Sequence, residues 1–284
     1  MAKLVATLVT NNALDDLAIF LKTLMLWNEV PPTIFLFADT EVAKAVPAFK
    51  YTGEIRTKVV LDKYANKTRA EMEATRGSVR PNMWFDLMCE KLELLDWVFS
   101  SKADGEGVFL FDADICFFGP LPEVPSTASV MLSQHMIRPR DEARFGKYNA
   151  GYLWMGAPEA VAAWRAACDT SHFFEQAALE CFDGPEWAGR VAHFGIQHNY
   201  GWWRLLQGAE DPAVLQKKWS IFRDKANAGI RVDGATLGSV HTHWHEKRDM
   251  ATATFNQFVK GLLERVAPSH PKAKQLHRIL SGPL

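Results

Sequence analysis

The sequence predicts an α/β fold in which a mainly parallel sheet is flanked by helices. Three observations carry this prediction. Short apolar segments alternate with segments of helical periodicity in the first third of the chain. Polar residues follow those apolar segments at the positions where open parallel sheets bind ligands. An apolar run at 108–118, with glycine on either side, is typical of a buried central strand.

The first 62 residues are predicted to form three strands and two helices in alternation. Apolar segments at 4–9, 33–38 and 58–62 predict the strands. Between the first two, apolar residues recur at helical spacing over 14–27, and Asp39 can cap a short helix after the second strand. This order favours parallel strands joined by right-handed crossovers.

The remaining chain continues the pattern without a repeat or a linker, which predicts one domain over 1–284. Basic residues among small and polar ones at 63–81 indicate a loop or flap with local positive charge. Further elements are predicted as helices at 82–100, 158–169, 172–182 and 254–266, and as strands at 128–132, 148–156 and 238–247.

Composition excludes some classes of function. The chain has 284 residues, and a formal net charge of −1 leaves no global electrostatic footprint for nucleic acid. The apolar segment at 4–9 is soon followed by polar and acidic residues, so it is too short for a signal peptide or a membrane span. No transmembrane segment is expected.

The cysteines indicate a reducing compartment. They are widely separated, lack a C-x-x-C spacing and lie in apolar contexts typical of buried free thiols. We therefore expect a cytoplasmic protein. The four residues concerned are Cys89, Cys116, Cys168 and Cys181.

Asp112 and Asp114 interrupt the apolar run with two carboxylates one residue apart. A buried carboxylate without a partner is costly, so the pair requires a cation, a hydrogen-bonding ligand or a cleft. An Asp-x-Asp at the carboxyl end of a strand can hold Mg²⁺ or Mn²⁺ through hard oxygen ligands. The alternative is that one acid caps a turn and the other pairs with a basic residue.

Three histidines occupy alternate positions late in the chain. On a strand, His241, His243 and His245 would point to the same face. With Glu246 nearby, they raise the alternative of a Zn²⁺ or Fe²⁺ metalloenzyme of the small β-barrel type. The many predicted helices and the early parallel-sheet pattern oppose a barrel.

Around the Asp-x-Asp, the chain resembles the nucleotide-sugar-dependent glycosyltransferases of the GT-A fold, from the first strand to the histidine run. The resemblance implies a Rossmann-like mixed sheet, with 1–118 as the nucleotide-binding half and 119–284 as the half that completes the acceptor and metal sites. It implies transfer of a sugar from a UDP or GDP type of donor to a glycan or glycoconjugate acceptor, with Mn²⁺ or Mg²⁺ as cofactor.

The resemblance also implies roles for individual residues. For the metal it implies Asp112, Asp114 and a late histidine, of which His243 is preferred and His241 is the alternative. Cations ahead of the acidic strand and the small residues of an Asn-Ala-Gly strand would face the donor. The residues implied in donor binding are Thr10, Asn11, Asp39, Arg80, Lys91, Asp112, Asn149, Gln197 and Lys247.

The catalytic group is less defined by the resemblance. Retaining relatives often carry an Asp-Gln pair, and at the corresponding place this chain has Ile196 before Gln197. Gln197 can still face the donor sugar, and an inverting enzyme needs a base to accept the acceptor's proton. The catalytic candidates are Gln197, His198 and Asp183, with Glu186 as a further candidate base.

Two other functions stay open at this point. A sugar nucleotidyltransferase would use a related sheet and metal, although no glycine-rich basic phosphate loop follows the first strand. A non-catalytic carbohydrate-binding protein could use Trp202 and Trp203 as flat surfaces for sugar rings, but paired tryptophans more often belong to the core. That second alternative leaves the acidic pair unexplained.

Overall fold

The computed structural model describes residues 3–102, 106–224 and 227–282. The helices are α1 Leu14–Trp27, α2 Thr40–Ala45, α3 Arg69–Ala74, α4 Met83–Ser101, α5 Pro139–Phe145, α6 Pro158–Ala167, α7 Trp202–Leu206, α8 Pro212–Lys217, α9 Met250–Val266 and α10 Pro271–Ser281. The strands are β1 Leu4–Val9, β2 Thr33–Ala38, β3 Ile55–Val59, β4 Val108–Phe111, β5 Ile115–Phe117, β6 Val130–Gln134, β7 Tyr148–Met155, β8 Val191–His193, β9 Tyr200–Gly201, β10 Trp219–Arg223, β11 Ala228–Val232, β12 Ala235–Thr236 and β13 Ser239–His241.

A mainly parallel sheet forms the centre of the molecule, as the sequence predicts. Within the described residues it has seven strands in the order β3-β2-β1-β4-β7-β6-β8. Strands β1 to β4 are mutually parallel, whereas β7 runs antiparallel to both β4 and β6. The carboxyl ends of β1, β2 and β4 therefore meet at one edge, where ligands bind in such sheets.

Helices cover both faces of this sheet because β1 alternates its apolar side chains between them. Val5 packs with residues of α1 on one face, and Ala6 packs with residues of α4 on the other. Asn82 caps α4 by accepting a hydrogen bond from the amide of Phe85, and Asp39 caps α2 through the amide of Val42. The prediction of an α/β fold is confirmed.

The prediction of one continuous strand over 108–118 is wrong. The chain turns at Asp112, whose carbonyl accepts a hydrogen bond from the amide of Ile115 at 3.2 Å. Strand β4 stays in the central sheet, while β5 joins a small sheet of order β5-β13-β9. The two carboxylates thus lie at the junction of two sheets.

The histidine run is also shorter as a strand than predicted. Strand β13 ends at His241, and beyond it the carbonyls of His243 and Trp244 accept hydrogen bonds from the side chain of Asn256 instead of from a neighbouring strand. The alternation that would place His241, His243 and His245 on one face is therefore lost.

Other boundaries differ for local reasons. Residues 63–81 include α3, which starts with a capping box between Thr68 and Glu71. The helix predicted at 172–182 is only a 3-10 segment over Ala177–Asp183. The third strand begins earlier than predicted, at Ile55. It is an edge strand with mostly exposed side chains, so its sequence lacks the apolar run on which the prediction relied.

The second half of the chain adds a separate apolar cluster beneath α9 and α10, which includes Trp244 and Phe255. Helix α10, which the sequence did not predict, packs against α1. The carbonyl of Leu280 in this helix accepts a hydrogen bond from the indole N–H of Trp244. All four cysteines are free, as predicted. Among the described residues, none of the helices has both the length and the apolarity needed to cross a bilayer.

Candidate active site

The Asp-Ala-Asp turn is fixed by backbone hydrogen bonds on both sides. The amide of Asp112 donates to the carbonyl of Gly151 on β7 at 2.9 Å, and the carbonyl of Asp114 accepts from the amide of Thr242 at 2.9 Å. The turn is thereby held between the strand that carries Asn149 and the segment that carries the histidines. Both carboxylates lie at the carboxyl end of β4.

Asp112, Asp114 and His241 converge on one point. The His241 Nε2 lies 3.1 Å from the Asp114 Oδ1 and 3.8 Å from the Asp112 Oδ2. One ligand atom from each of the three residues lies within 4.8 Å of the other two. Among the described residues, this is the group whose side chains have the geometry to hold a metal ion.

The donor set and its surroundings fit a divalent cation. Two carboxylates and one imidazole suit Mn²⁺ or Mg²⁺, which take hard oxygen ligands and leave positions for water and phosphate. Gly151 makes this convergence possible, since a Cβ at this position would lie 2.3 Å from the Asp112 Oδ2 and 2.6 Å from the His241 Cε1. The small residue therefore gives space to the ligands themselves.

His243, the preferred ligand from the sequence, is placed differently. Its Nδ1 lies 2.8 Å from the Asp16 Oδ2, and its Nε2 is 3.8 Å from the Asp114 Oδ2. Asp114, followed by Asp16, raises the pKa of His243 to about 10. Burial opposes ionisation of Asp114, but His241 and His243 still hold the pKa of that carboxyl below its ordinary value. His243 thus bridges two acids.

Lys91 is buried against the same turn. Its Nζ lies 2.9 Å from the Asp112 Oδ1 and 3.0 Å from the Glu175 Oε1, and it donates to the carbonyl of Ala150 at 3.3 Å. Burial disfavours the charged ammonium, yet Asp112 and Glu175 raise the pKa of Lys91 above its ordinary value. Lys91 therefore neutralises two carboxylates beside the candidate metal site.

Glu175 and Gln176 lie beside Lys91 and Asn149 and were not among the site residues predicted from the sequence. The Gln176 Oε1 lies 3.4 Å from both the Asn149 Nδ2 and the Ala150 amide. The resemblance implies an Asp-Gln pair, and Glu175-Gln176 has glutamate before its glutamine where Ile196-Gln197 has isoleucine. The signal was in the sequence, but Glu175-Gln176 falls in a segment predicted only as an Ala-rich helix.

A cavity of 990 Å³ opens beside the two carboxylates, at the carboxyl end of β1. We call it the carboxyl-end cavity. It brings together the predicted residues Thr10, Asp112, Asp114, His243 and Lys247. Its other charged or polar lining residues are Asn12, Asp15, Asp16, Asn66, Lys67, Thr68, Arg69, His245, Glu246 and Arg248.

Three residues predicted to contact the donor instead bind other residues of the protein. Both carboxylate oxygens of the fully buried Asp39 accept backbone amides, from Asn11 at 2.6 Å and from Val42 at 2.8 Å. The Asn11 side chain pairs with Asn66. Asp39 and Asn11 therefore shape the ends of β1 and β2. The third is the Arg80 guanidinium, which lies 2.5 Å from a carboxylate oxygen of Asp169.

Gln197 and His198 line a different cavity, of 670 Å³, which also contains Lys3 and Pro32. Because those two residues immediately precede β1 and β2, we call it the amino-end cavity. The His198 Nδ1 lies 3.4 Å from the Tyr152 hydroxyl. Burial lowers the pKa of His198 to about 4. The structure does not bring these two catalytic candidates to the carboxylate pair.

The other catalytic candidates are at the surface. Asp183 is exposed and accepts hydrogen bonds from the Tyr148 hydroxyl at 2.5 Å and from the Lys147 Nζ at 3.0 Å. Glu186 is exposed on a short 3-10 segment.

Trp203, by contrast, packs edge-on against His241 with ring centroids 5.0 Å apart, so it supports the candidate metal site.

No protein-family model and no curated protein matches the chain. Solved structures do match it. The galactosyltransferase LgtC in complex with donor and acceptor sugar analogs has 12% identity and a TM-score of 0.53, and the match covers 96% of this chain and 99% of LgtC. An active-site mutant of LgtC, glutamine to glutamate, has 13% identity and a TM-score of 0.52, with 91% and 96% covered. Mouse xyloside xylosyltransferase 1 in its apo form has 11% identity and a TM-score of 0.49, with 86% and 98% covered. The two LgtC structures show that this chain has the fold of the GT-A glycosyltransferases.

Proposed function

We propose that this protein is a metal-dependent glycosyltransferase that moves a sugar from a nucleoside-diphosphate sugar to a carbohydrate or glycoconjugate acceptor. The observation that carries the proposal is the convergence of Asp112, Asp114 and His241 beside the carboxyl-end cavity of a GT-A fold. A carbohydrate-binding protein would not need this convergence. The free cysteines agree with a cytoplasmic location.

Asp112, Asp114 and His241 are the residues that would hold Mn²⁺ or Mg²⁺. When bound, the cation would neutralise charge on the departing diphosphate. The distances favour His241 over His243, because the Nε2 of His241 lies nearer to Asp114, and His243 is already paired with Asp16. The Zn²⁺ or Fe²⁺ alternative is disfavoured, because His243 and His245 do not join this group.

The carboxyl-end cavity is proposed to hold the donor nucleotide. Its 990 Å³ is at the upper end of the range of ligand sites in proteins. Thr10 at the end of β1 would contact the nucleoside within the 1–118 half. Lys247, with Arg248 beside it, would contact the diphosphate, because ammonium and guanidinium groups are the usual partners of phosphate oxygens.

Glu175 and Gln176 are proposed to face the donor sugar in place of the sequence-predicted Gln197. Lys91 forms ion pairs with both Glu175 and Asp112, and so links the sugar end of the site to the metal end. The active-site mutant of LgtC replaces a glutamine, which supports a glutamine in this role. Preorganised charge of this kind is often the largest single contribution to catalysis.

The test is binding of metal and nucleotide. We expect Mn²⁺ together with one of UDP or GDP to raise the melting temperature of the wild type, and the matching sugar nucleotide to release nucleoside diphosphate. Asp114→Ala should lose both effects, whereas the control Asp183→Asn, at the exposed candidate acid, should keep them. Absence of stabilisation by any nucleoside diphosphate in the wild type would exclude the proposal.

A further inference from the structure

We propose that Asn199 is a positioning residue that fixes the tautomer and orientation of His241, so that its Nε2 is free to face the cation held with Asp112 and Asp114. The inference rests on the proposed function, because it concerns the metal that the enzyme would use. It assigns a role to a residue that contacts neither metal nor substrate. Metal-ligating histidines commonly donate their second N–H to a fixed acceptor.

Asn199 is held at every polar atom of its amide. It is fully buried, with φ of 55°, a left-handed conformation that asparagine tolerates better than most residues. Its backbone N–H donates to the Ser239 Oγ at 2.9 Å. Its side-chain Nδ2 donates to the Ser133 Oγ at 2.8 Å and to the Asn149 Oδ1 at 3.1 Å. Its Oδ1 lies 2.8 Å from the His241 Nδ1.

The direction of these hydrogen bonds is set by Asn149, whose own amide is fixed at both ends. The Gly151 backbone N–H donates to the Asn149 Oδ1 at 3.1 Å. At the other end, the Asn149 Nδ2 lies 3.3 Å from the His135 Nε2. Burial lowers the pKa of His135 to about 4, so this imidazole is neutral, and its Nδ1 lies 2.6 Å from the Gly146 carbonyl. His135 Nδ1 must therefore donate, and its Nε2 must accept from Asn149.

The Gly151 N–H and the Gly146 carbonyl together fix which atoms of the neighbouring side chains donate and which accept. Because the Asn149 Oδ1 is an acceptor, the group that faces it from Asn199 must be the Nδ2 donor. The Asn199 Oδ1 then faces His241, so the His241 Nδ1 must carry a proton. The His241 Nε2 is left to point at Asp114, 3.1 Å away. In this tautomer the Nε2 lone pair would be available to a divalent cation held together with the two carboxylates.

The first experiment measures Mn²⁺ affinity by electron paramagnetic resonance. Asn199→Gly tolerates the left-handed backbone but removes the acceptor for His241, and we expect it to bind Mn²⁺ roughly 10- to 100-fold more weakly than the wild type. Asn199→Asp keeps an acceptor for His241 although it loses the Nδ2 donor. It should stay within about threefold of the wild-type affinity in spite of lower stability.

Ser239→Ala is the matched control. It removes the partner of the Asn199 backbone N–H without changing the side-chain amide, so it should destabilise the fold yet leave Mn²⁺ affinity within about threefold. A merely structural role for Asn199 predicts the opposite result, in which the loss of affinity follows the loss of stability in all three variants. Equal Mn²⁺ affinity of wild type and Asn199→Gly would also overturn the inference.

A second readout needs no variant to fold. In Mg²⁺-loaded wild type with ¹⁵N-labelled histidine, NMR should show the His241 proton on Nδ1, and a proton on Nε2 would refute the proposed positioning. Failure of the proposed function gives a different result, since no nucleoside diphosphate would then stabilise the wild type in the presence of Mn²⁺, whereas failure of this inference leaves that stabilisation unchanged. The two failures are therefore distinguishable.

Discussion

The carboxyl-end cavity and the amino-end cavity lie at opposite ends of β1, and both are lined by histidine. Their electrostatics differ. In the first, Asp114 and Asp16 raise the pKa of His243 to about 10, whereas in the second, burial lowers the pKa of His198 to about 4. Catalytic residue types occur in both cavities, but only the first combines acids, imidazoles and a nearby buried lysine. Convergence of charge, rather than residue type, distinguishes a candidate active site.

The largest effect is expected from two histidines, one in the candidate metal site beside the carboxyl-end cavity and one in the amino-end cavity. His241→Ala removes one of the three candidate ligands, and we expect sugar transfer, measured as kcat/KM with saturating Mn²⁺, to fall roughly 10³-fold. His198→Ala, in the amino-end cavity, should change kcat/KM by less than about threefold, because substitutions remote from the chemistry act mainly on stability. A large loss in His198→Ala would place the reaction in the other cavity.

A smaller effect is expected from the two glutamines. Gln176→Ala removes a group beside Asn149 and Ala150, and kcat/KM should fall about 10²-fold if this amide contacts the donor sugar. In Gln197→Ala, kcat/KM should fall less than about threefold, because the Gln197 amide lies against Gly195 and Gln197 lines the amino-end cavity. Steady-state kinetics of both variants with the same donor decides between them. The reverse order would restore Gln197 as the sequence-predicted contact.

The two glutamines also show what sequence reasoning can locate. Ile196-Gln197 was chosen by its place in the order of motifs, but that segment turns towards the amino ends of the strands, where the amides of Gly238 and Ser239 donate to the Gln197 carbonyl. The acid-glutamine pattern of Glu175-Gln176 is visible in the sequence, but its place beside the carboxylate pair is found only through the fold, since the buried partner Lys91 lies 84 residues earlier in the chain. Contacts over such separations leave no local pattern in one sequence.

Local patterns did predict most of the fold. Strands β1 and β2 and helices α1 and α4 have strong periodicity, and the structure confirms them. The prediction of one strand over 108–118 was wrong, because apolar character alone does not show that the chain turns at Asp112 and continues in a second sheet. The prediction of a histidine strand was wrong beyond His241 because the side chain of Asn256, on helix α9, takes the place of a neighbouring strand. Tertiary contacts overrode local preference in both cases.

A third comparison uses one glycine beside the candidate metal ligands and one glycine from the amino-end cavity. In Gly151→Ala the new Cβ would crowd Asp112 and His241, so we expect Mn²⁺ affinity to fall about 10-fold as the ligands are pushed apart. In Gly238→Ala the Cβ would lie 2.4 Å from the His198 Nδ1 and should disturb only the amino-end cavity. Titration calorimetry with Mn²⁺ measures both. An unchanged affinity in Gly151→Ala contradicts metal binding at this convergence of ligands.

The smallest effect is the pH dependence of stability in the metal-free protein. Because the pKa of His243 rises from 6.5 to about 10, its stabilising contribution is complete below pH 6.5 and is lost as the pH rises towards 10. Because the pKa of His198 falls from 6.5 to about 4, its contribution is complete above pH 6.5 and is lost as the pH falls towards 4. His243→Gln should therefore flatten the alkaline side of the curve of unfolding free energy against pH, and His198→Gln the acid side.

Urea denaturation across this pH range measures both slopes. The change in His243→Gln should be the smaller one, because 59% of the His243 side chain is exposed and water screens its ion pairs with Asp16 and Asp114. The imidazole of His198 is less exposed than that of His243, and burial itself lowers its pKa. His243→Gln could instead lower the unfolding free energy by the same amount at both ends of the pH range. In that case Asp16 and Asp114 do not hold His243 charged. The electrostatic contrast between the two cavities would then depend on Asp112, Asp114 and Lys91 alone.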